Sequence, residues 1–486
     1  MFGSHGNFLQ VDMDTQETAI VTIKEDDQKN FIGGCGLAAK LLYPMMRADI
    51  SPLSSDNPLF FSVGPFTGTQ IPSVSRYAVC SISPQTHIWG EATSGGIFPH
   101  RLKLSGFDGI LITGKSETPS YLYVHDGIAE IREASHLWGK DTYETQNVIK
   151  GEIEDGNVSV ACIGPAGERL VKFACIINDG GRAAGRCGLG AVMGSKNLKA
   201  IAVRGNKKVA PSYPEKLREL VKEIREGISA NFVSTVFREH GTMIYTDMGT
   251  QLGDVPVKYF TKGLFPFEKV TSAALKGKYT VEPSACYGCP IACGRVVKNF
   301  RKELSVIDGP EYETVAAFGP LCMNSDLDSI IYANHFCNTY GLDTISAGVT
   351  IALVMFLYDK GIITKEALGR EALWGDRNVI QKLLEMIVNR EGIGDLLAEG
   401  SQKVIEEYGI DPEESACVKG LEIPMHEPRA FTGSALTYAT SPRGACHLRG
   451  DYYGVDMGRG APELDIPAGD RFQSEGKAEL VARYQN

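Results

Sequence analysis

The chain has 486 residues, more than one hydrophobic core usually serves, so two or three domains with buried interfaces are expected. Its composition, 43% hydrophobic and 22% charged with 54 glycines, is typical of a compact globular protein and excludes a disordered one. The formal charge of −10 and the lack of any basic run argue against a nucleic-acid partner, because neutralising phosphates requires clustered Lys and Arg.

The first residues, MFGSHGNFLQVDMDTQ, contain no basic segment followed by an apolar one. No stretch of the chain approaches the roughly 18 consecutive apolar residues that a membrane span needs. We therefore expect a cytoplasmic protein without a membrane partner.

Short β-rich runs separated by turn residues dominate the first part of the chain. They are FLQVDMD, ETAIVTI, PLFFSVG, RYAVCSIS, GILITG, YLYVHDG, AEIREAS and KAIAVRG. From about Pro211 the pattern becomes helical, as in PEKLRELVKEIREGI, SDLDSIIYANHFCNTYG, TISAGVTIALVMFLYDKG and DRNVIQKLLEMIVNREG, where Asp376 is the predicted N-cap. The sequence after about residue 415 is rich in Gly, Pro and Arg, which favours loops that converge on a site. These textures predict an α+β protein with a β-rich domain over 1–210 and a mainly helical domain over 211–415.

Three of the 12 cysteines form a cluster, Cys286, Cys289 and Cys293, in the segment SACYGCPIACGR. Their spacing predicts a tight turn and the start of a helix, from which three thiolates could face one metal centre. Zinc and an iron-sulfur cluster both accept this ligand set, and each usually requires a fourth ligand. The other nine cysteines are scattered, and most are predicted to be buried, reduced side chains.

Two glycine-rich segments carry arginines. The first, NDGGRAAGRCGLG over 178–190, combines flexible backbone with Arg182 and Arg186, and the second places Arg76 before the small residues Thr93 to Gly96. Together they predict a bound, phosphate-bearing cofactor. The run GLGAVMG does not predict a dinucleotide site, because no strand runs directly into it and its spacing is G-x-G-x-x-x-G.

Read with the cysteine cluster, these segments resemble the aldehyde ferredoxin oxidoreductase family. The matching stretches occur in order along nearly the whole chain and include GPFTGT, SRYAVCSISPQT, TSGG, IGPAGERLVKFACIINDGGRAAGR, GAVMGSKNLKAIAVRG, CYGCPIACGR, GPEYET, GLDTIS and SPRGACH. The resemblance implies a tungsten ion held by the sulfurs of two molybdopterin-type cofactors, with a 4Fe-4S cluster nearby. It also allows a magnesium ion that bridges the pterin phosphates.

The resemblance assigns the functional residues position by position. The pterin-binding positions are Arg76, Thr93, Gly95, Arg182, Ala183, Gly185, Asn338, Leu342 and Asp343, and the cluster ligands are Cys286, Cys289 and Cys293. Glu313, in GPEYE, matches the family glutamate that can act as a general base, and His447, in RGACH, matches the histidine beside the reacting oxygen. The implied reaction is oxidation of an aldehyde with water to a carboxylic acid, with electrons leaving through the cluster to ferredoxin or a ferredoxin-like subunit. A homodimer is expected on family grounds alone.

Two features depart from the family pattern. Asn338 stands where the family usually has an aspartate, so its contact with a pterin amine would lack a charge. The element whose last residue supplies the fourth cluster cysteine is expected beyond Asn486. The resemblance therefore implies that the sequence is truncated and that 416–486 is the start of a third, mainly helical domain.

Two alternative functions stay open at this point. The first is the catalytic subunit of an aromatic acyl-thioester reductase of the same family, although Arg76, Glu313 and His447 together favour aldehyde oxidation. The second is a binding protein without redox activity, in which Cys286, Cys289 and Cys293 hold a structural zinc.

Overall fold

The computed structural model describes residues 2–485, and its first half is built from β-strands as the sequence predicts. Strands β1 to β12 are Asn7–Asp12, Glu17–Thr22, Leu59–Val63, Tyr77–Ile82, Trp89–Ser94, Gly109–Thr113, Ser120–His125, Ile128–Glu133, Ser159–Cys162, Ile176–Asn178, Arg182–Ala184 and Leu198–Arg204. Five short strands follow, β13 to β17: Thr280–Ser284, Gly294–Lys298, Val306–Asp308, Cys417–Val418 and Leu421–Glu422. All eight β-rich runs named above form strands, whereas β5, β9, β10 and β11 were not predicted.

Helices lie between the early strands and dominate the chain after them. Helices α1 to α6 are Glu25–Phe31, Gly34–Leu42, Phe98–Leu104, Thr142–Ile153, Pro165–Glu168 and Leu189–Ser195. Helices α7 to α13 are Pro214–Ala230, Phe232–His240, Ile244–Leu252, Ser272–Lys278, Tyr312–Phe318, Leu327–Tyr340 and Thr344–Asp359. Helices α14 to α20 are Lys365–Leu368, Arg377–Asn389, Gly394–Leu397, Ser401–Glu407, Thr432–Thr440, Tyr453–Asp456 and Lys477–Gln485. A β-rich half followed by mainly helical structure confirms the predicted fold class.

The first twelve strands form two six-stranded sheets. Their strand orders are β2-β1-β6-β3-β4-β5 and β11-β10-β9-β12-β7-β8. In each sheet one pair is parallel, β1 with β6 and β7 with β12, and the other pairs are antiparallel. Strand β3 is buried along its whole length, which explains its unbroken apolar run LFFSV.

Helices α3 and α6 join the two sheets into one core. Phe98 and Leu102 of α3 and Leu189 and Met193 of α6 pack in a single buried cluster with strand residues of both sheets. The run GLGAVMG is α6, and a Cβ at Gly190 would lie 2.5 Å from the carbonyl oxygen of Cys175. At least this glycine is therefore required for close packing of backbone against backbone.

The helical half is organised around α13, which is apolar on all faces and buried at nearly every position. Asp343 caps its N-terminus by accepting a hydrogen bond from the Ile345 backbone N–H at 3.0 Å. Asp376 caps α15 in the same way, which confirms that prediction. Among residues 2–485, no helix combines the length and apolarity needed to cross a bilayer.

Candidate functional site

The residues assigned to the cofactors line one cavity of about 420 Å³ where the sheets meet the helical half. Its lining includes Arg76, Thr93, Gly95, Arg182, Ala183, Gly185, Cys286, Cys293, Glu313, Asn338, Leu342 and Asp343. Cys289 and His447 do not line the cavity but lie beside it. The Cys289 Sγ is 3.2 Å from the Ser73 Oγ, and the His447 Nε2 is 3.6 Å from the Glu313 Oε1. The fold therefore gathers positions that are more than 350 residues apart in the sequence.

One wall of the cavity comes from the edge of the first sheet. Arg76 directly precedes β4 and its guanidinium is 3.4 Å from the Thr93 Oγ1 on β5. Strand β5 ends at Ser94, and a Cβ at Gly95 would lie only 2.6 Å from the Cys286 Sγ. Only glycine at position 95 lets the cysteine loop approach this strand so closely.

Arg182 links the second sheet to the cysteine loop. Its guanidinium donates a hydrogen bond of 3.0 Å to the Ser284 carbonyl oxygen at the end of β13. Burial lowers the pKa of Arg182, but Cys286, Glu311 and Cys293 outweigh that effect and the net pKa is raised. The cation therefore stays charged beside the cysteine sulfurs, where it would stabilise thiolates.

The three cysteines lie in an irregular loop between β13 and β14, in which the Cys289 N–H donates to the Cys286 carbonyl oxygen at 3.1 Å. The predicted turn is present, but the helix expected at Cys293 is wrong. Strand β14 begins at Gly294 and pairs with β13 and β15, so the ladder takes the backbone groups that a helix would have used.

The separation of the cysteine sulfurs bears on which metal centre they suit. In the described part of the chain, the sulfurs of Cys286, Cys289 and Cys293 do not all lie within 4.8 Å of one another. A tetrahedral zinc site with bonds of about 2.3 Å would place its sulfurs about 3.8 Å apart. An iron-sulfur cube, whose thiolates bind different iron atoms, spreads its ligands further. The fourth cysteine predicted beyond Asn486 lies outside the described residues.

Leu342 and Asp343 form the turn that connects α12 to α13. Gly341 has a φ of 77° and ends α12, and the Asp343 Oδ2 accepts a hydrogen bond of 2.7 Å from the Ser346 hydroxyl. Arg186 reaches the same carboxylate, with 3.6 Å between its Nη1 and the Asp343 Oδ2. This turn therefore carries a fixed negative charge into the cavity.

Asp308 supplies a carboxylate close to Asn338, the position that departs from the family pattern. A Cβ on Gly181 would lie 2.6 Å from the Asn338 Nδ2 and 2.8 Å from the Asp308 Oδ2, so both side chains adjoin the same point of the cavity wall. Asp308 accepts a hydrogen bond of 2.9 Å from the Tyr143 hydroxyl, and burial raises its pKa. Sequence reasoning missed Asp308, because a single aspartate at the end of a short strand gives no signal of its own.

Glu313 lies in the first turn of α11 with its two oxygens in different settings. The Oε2 accepts a hydrogen bond of 2.8 Å from the Met425 N–H. The Oε1 is buried and accepts no hydrogen bond from residues 2–485, and it lies 3.5 Å from the His426 Nε2 and 3.6 Å from the His447 Nε2. Burial raises the pKa of Glu313, and the nearby His426 partly counteracts this. One carboxylate oxygen is thus anchored and the other is available for proton transfer.

His426 and Asp254 complete this group of acidic and basic residues, and sequence reasoning missed both. The His426 Nδ1 is 2.6 Å from the Asp254 Oδ2, and both side chains are buried. His426 lies in EIPMHEPRA, within the irregular segment expected to converge on a site, and this was its only signal. Asp254 had no signal, because its role depends on a contact with a residue 172 positions away.

The pKa values of the two histidines shift in opposite directions. Burial lowers the pKa of His426, but the hydrogen bond and charge of Asp254 and the charge of Glu313 outweigh it, so the net pKa is raised. Burial, together with the positive charge of His426, holds the pKa of His447 well below its usual value. His447 is therefore a neutral imidazole at pH 7, suited to hydrogen bonding a carbonyl oxygen.

The donor set of the cavity fits an anionic cofactor that brings its own metal ligands. Three arginines, Arg76, Arg182 and Arg295, line the cavity, and the buried Arg186 Nη1 makes no hydrogen bond in the described part of the chain. Gly185 leaves open space, since the nearest atom to an added Cβ is the Asp343 Oδ1 at 3.9 Å. The described side chains thus offer cations for phosphates and a wall without side chains for a flat ring.

Comparisons with known proteins agree with this site. The model of the aldehyde ferredoxin oxidoreductase N-terminal domain matches residues 8–205, and the model of domains 2 and 3 of that family matches residues 219–486. The tungsten-containing aldehyde ferredoxin oxidoreductase of Pyrococcus furiosus is 45% identical over 456 residues, which cover 92% of this chain and 74% of the relative. The enzyme of the same name from Thermococcus kodakarensis is 44% identical over 453 residues, with the same coverage of each chain.

A solved structure shares the fold. The active-site complex of benzoyl coenzyme A reductase with 1,5-dienoyl-CoA superposes with a TM-score of 0.81 at 30% identity, covering 91% of this chain and 69% of that one. Family models match most of the chain, and relatives above 40% identity align with nearly all of it. The chain therefore belongs to the aldehyde ferredoxin oxidoreductase family and is an oxidoreductase.

Proposed function

We propose that the chain oxidises an aldehyde with water to a carboxylic acid and passes the electrons through a 4Fe-4S cluster to ferredoxin or a ferredoxin-like subunit. The observation that carries the proposal is the Glu313 Oε1, which accepts no hydrogen bond from any described residue and lies 3.6 Å from the His447 Nε2, on a side chain that lines the same cavity as Cys286 and Cys293. Glu313 with His447 can transfer protons, and the cysteines can hold a cluster that transfers electrons. Their position at one cavity suits a reaction that removes protons and electrons together.

The residue roles form part of this proposal. Arg76, Thr93, Gly95, Arg182, Ala183, Gly185, Asn338, Leu342 and Asp343 would hold two pterin cofactors, and Cys286, Cys289 and Cys293 would hold the cluster. When bound, the tungsten-pterin group supplies a two-electron acceptor. The arginines would neutralise the phosphates of the cofactors, and a magnesium ion would bridge those phosphates. We also propose that the protein acts in the cytoplasm as a homodimer. We also propose domains over 1–210, 211–415 and 416–486.

Glu313 and His447 would divide the proton chemistry between them. The ionised Glu313 carboxylate accepts, at its Oε1, a proton from the water that attacks the aldehyde carbon. His447, neutral because of its lowered pKa, donates a hydrogen bond to the carbonyl oxygen and makes that carbon more electrophilic. The buried surroundings of both side chains exclude bulk water and strengthen these interactions.

Reduction of an aromatic acyl thioester is the second candidate function, because the benzoyl coenzyme A reductase complex shares the fold at 30% identity. Two assays of the anaerobically purified protein separate the candidates: reduction of a viologen dye by aldehydes, and reduction of an aromatic thioester by a reduced dye. Elemental analysis of the same preparation is expected to find tungsten and iron. Thioester reduction without aldehyde oxidation would overturn the proposal, as would a preparation containing zinc alone.

A further inference from the structure

Two distant segments, 254–260 and 425–430, are fastened together around His426. The His426 ring contacts the Asp254 side chain at 2.6 Å, and the next residue, Glu427, donates its N–H to the Asp254 carbonyl oxygen at 2.8 Å. Further along, the Arg429 guanidinium donates to the Phe260 carbonyl oxygen at 2.6 Å. The position of His426 relative to Asp254 is thus fixed by both side-chain and backbone bonds.

The segment that follows Asp254 contains unusual backbone. Lys258, Tyr259 and Phe260 have φ values of 47°, 48° and 61°, a left-handed turn of three residues without glycine. Each such residue costs about 1–2 kcal/mol, so the turn persists only where the surroundings dictate it. Here the N–H groups of Lys258 and Tyr259 donate to backbone carbonyl oxygens of the segment 320–321 at 3.1 and 3.0 Å. A conformation this costly is consistent with a requirement to hold the Asp254 segment in place.

Aromatic rings enclose the imidazole of His426 on its remaining sides. The ring centroids of Tyr245, Tyr312 and Tyr453 lie 4.9, 5.1 and 5.4 Å from that of His426. The Tyr245 hydroxyl also donates to the Asp254 Oδ2 at 2.8 Å. The imidazole therefore has little freedom to rotate away from its two carboxylate neighbours.

We propose that Asp254 and His426 are positioning residues, in which Asp254 holds His426 as an imidazolium whose Nε2–H keeps the Glu313 carboxylate ionised and aimed into the cavity. This inference rests on the proposed function, because it gives Glu313 the role of base. Asp254 and His426 would not contact the substrate. They would act through Glu313 alone.

The charges that face this group come from several elements. Asp254 follows α9, Glu313 is on α11, and the loop before α19 brings His447 and Asp451 to the same group. Asp254, Glu313 and Asp451 raise the pKa of His426 against the effect of burial. Burial raises the pKa of Asp451 itself to about 6, so part of its charge is lost near neutral pH. Asp254 is the only one of these three whose carboxylate lies within 3 Å of the His426 ring.

The test is the pH dependence of kcat/KM in the Asp254→Asn holoenzyme. Removing the Asp254 charge lowers the pKa of His426, so His426 is less often an imidazolium. The Glu313 carboxylate then loses part of the positive charge that stabilises its ionised form, and the pKa of Glu313 rises. Because the base must be ionised, the acidic limb of the profile moves to higher pH. If the acidic limb shifts by about one pH unit, kcat/KM of the variant is roughly tenfold lower than that of wild type at pH values below the acidic limbs of both proteins. On the plateau the two values are nearly equal.

Asp451→Asn is the matched control, because it removes a carboxylate near His426 that makes no hydrogen bond to the ring. We expect a smaller shift in the same direction. Tyr245→Phe keeps the ring but removes the hydrogen bond that Tyr245 donates to the Asp254 Oδ2. The Asp254 carboxylate then interacts more strongly with the His426 ring, so the acidic limb moves slightly to lower pH. This variant preserves the fold if Asp254→Asn does not.

A readout independent of turnover is the titration of His426, followed by NMR of protein labelled with 15N at histidine. The expected result is a lower pKa of His426 in Asp254→Asn and a higher one in Tyr245→Phe, with iron and tungsten contents unchanged. Uniform loss of activity at every pH with an unmoved titration would overturn the inference and indicate a purely structural contact. If wild-type protein oxidises no aldehyde, the proposed function fails, whereas the titration still decides whether Asp254 controls His426.

Discussion

The two walls of the cavity are built on different physical principles. The wall from the sheets consists of backbone, glycines and cations, as at Gly95, Arg76 and Gly185. The wall from α11 in the helical half carries Glu313, whose Oε2 is held by the Met425 N–H, and behind it the buried His426 and Asp254 hydrogen bond each other. The first wall leaves its groups available for a ligand, whereas the second fixes most of its groups within the protein.

This difference separates binding from chemistry. A change in the sheet wall should alter how much cofactor the protein holds, because the ligand is the missing partner of those groups. A change at Glu313 or the residues behind it should alter the rate and its pH dependence, because those groups already have their protein partners.

Glu313→Gln has the largest expected effect. Glutamine keeps an oxygen for the Met425 N–H but cannot accept a proton at the position of the Oε1. Loss of a general base should lower kcat/KM about 10²–10⁴-fold in a dye-linked aldehyde assay. Tungsten and iron contents should equal those of wild type, as measured by elemental analysis. Loss of the metals together with the activity would show that the two walls are not separable.

Gly95→Ala and Gly185→Ala form a matched pair within the sheet wall. The added methyl at position 95 would press on the Cys286 Sγ at 2.6 Å, a clash that costs about 1–3 kcal/mol. At position 185 the methyl meets no protein atom closer than 3.9 Å, so only a bound cofactor would oppose it. We expect Gly95→Ala to lose iron, and Gly185→Ala to keep iron while tungsten and pterin fall roughly tenfold or more. Equal iron contents in the two variants would contradict this reading of Gly95.

The smallest effect concerns stability against pH. The pKa values of Glu313 and His426 are both raised in the folded chain, so the folded state binds more protons than the unfolded state does. These two groups therefore make the free energy of unfolding fall as pH rises, first above about 4.5 for Glu313 and then above about 6.5 for His426, whereas groups with a lowered pKa, such as His447, act in the opposite direction. The free energy of unfolding of wild type minus that of Glu313→Gln isolates the first part of this fall, and urea unfolding at a series of pH values would measure it. A difference that rises with pH above about 4.5 would refute the assignment.

The sequence was sufficient where the signal is local. Strands such as β3 and helices such as α15, with its Asp376 cap, follow from apolar patterns and capping residues within a few positions. The family motifs likewise identified residues that the fold brings to one cavity.

The sequence was insufficient where one partner is distant or the pattern is ambiguous. Asp254 and Asp308 matter through contacts with His426 and Asn338, which no local pattern encodes. The start of a helix that the cysteine spacing predicted is wrong, because the residues after Cys293 form β14, whose paired valines favour a strand and which pairs with β13 and β15. The short strands β9 to β11 were missed because three or four residues give too little alternation to recognise.

The contact between Gly95 and Cys286 has a consequence for electron tunnelling, whose rate falls steeply with the gap between donor and acceptor. Gly95 follows strand β5, and it lines the same cavity as the proposed cluster ligand Cys286. With no side chain at position 95, the Cys286 Sγ lies against the Gly95 backbone, so the gap between a bound cofactor and a bound cluster would be short. Any larger residue there would widen that gap, so this glycine would help to set the speed at which electrons leave the substrate site.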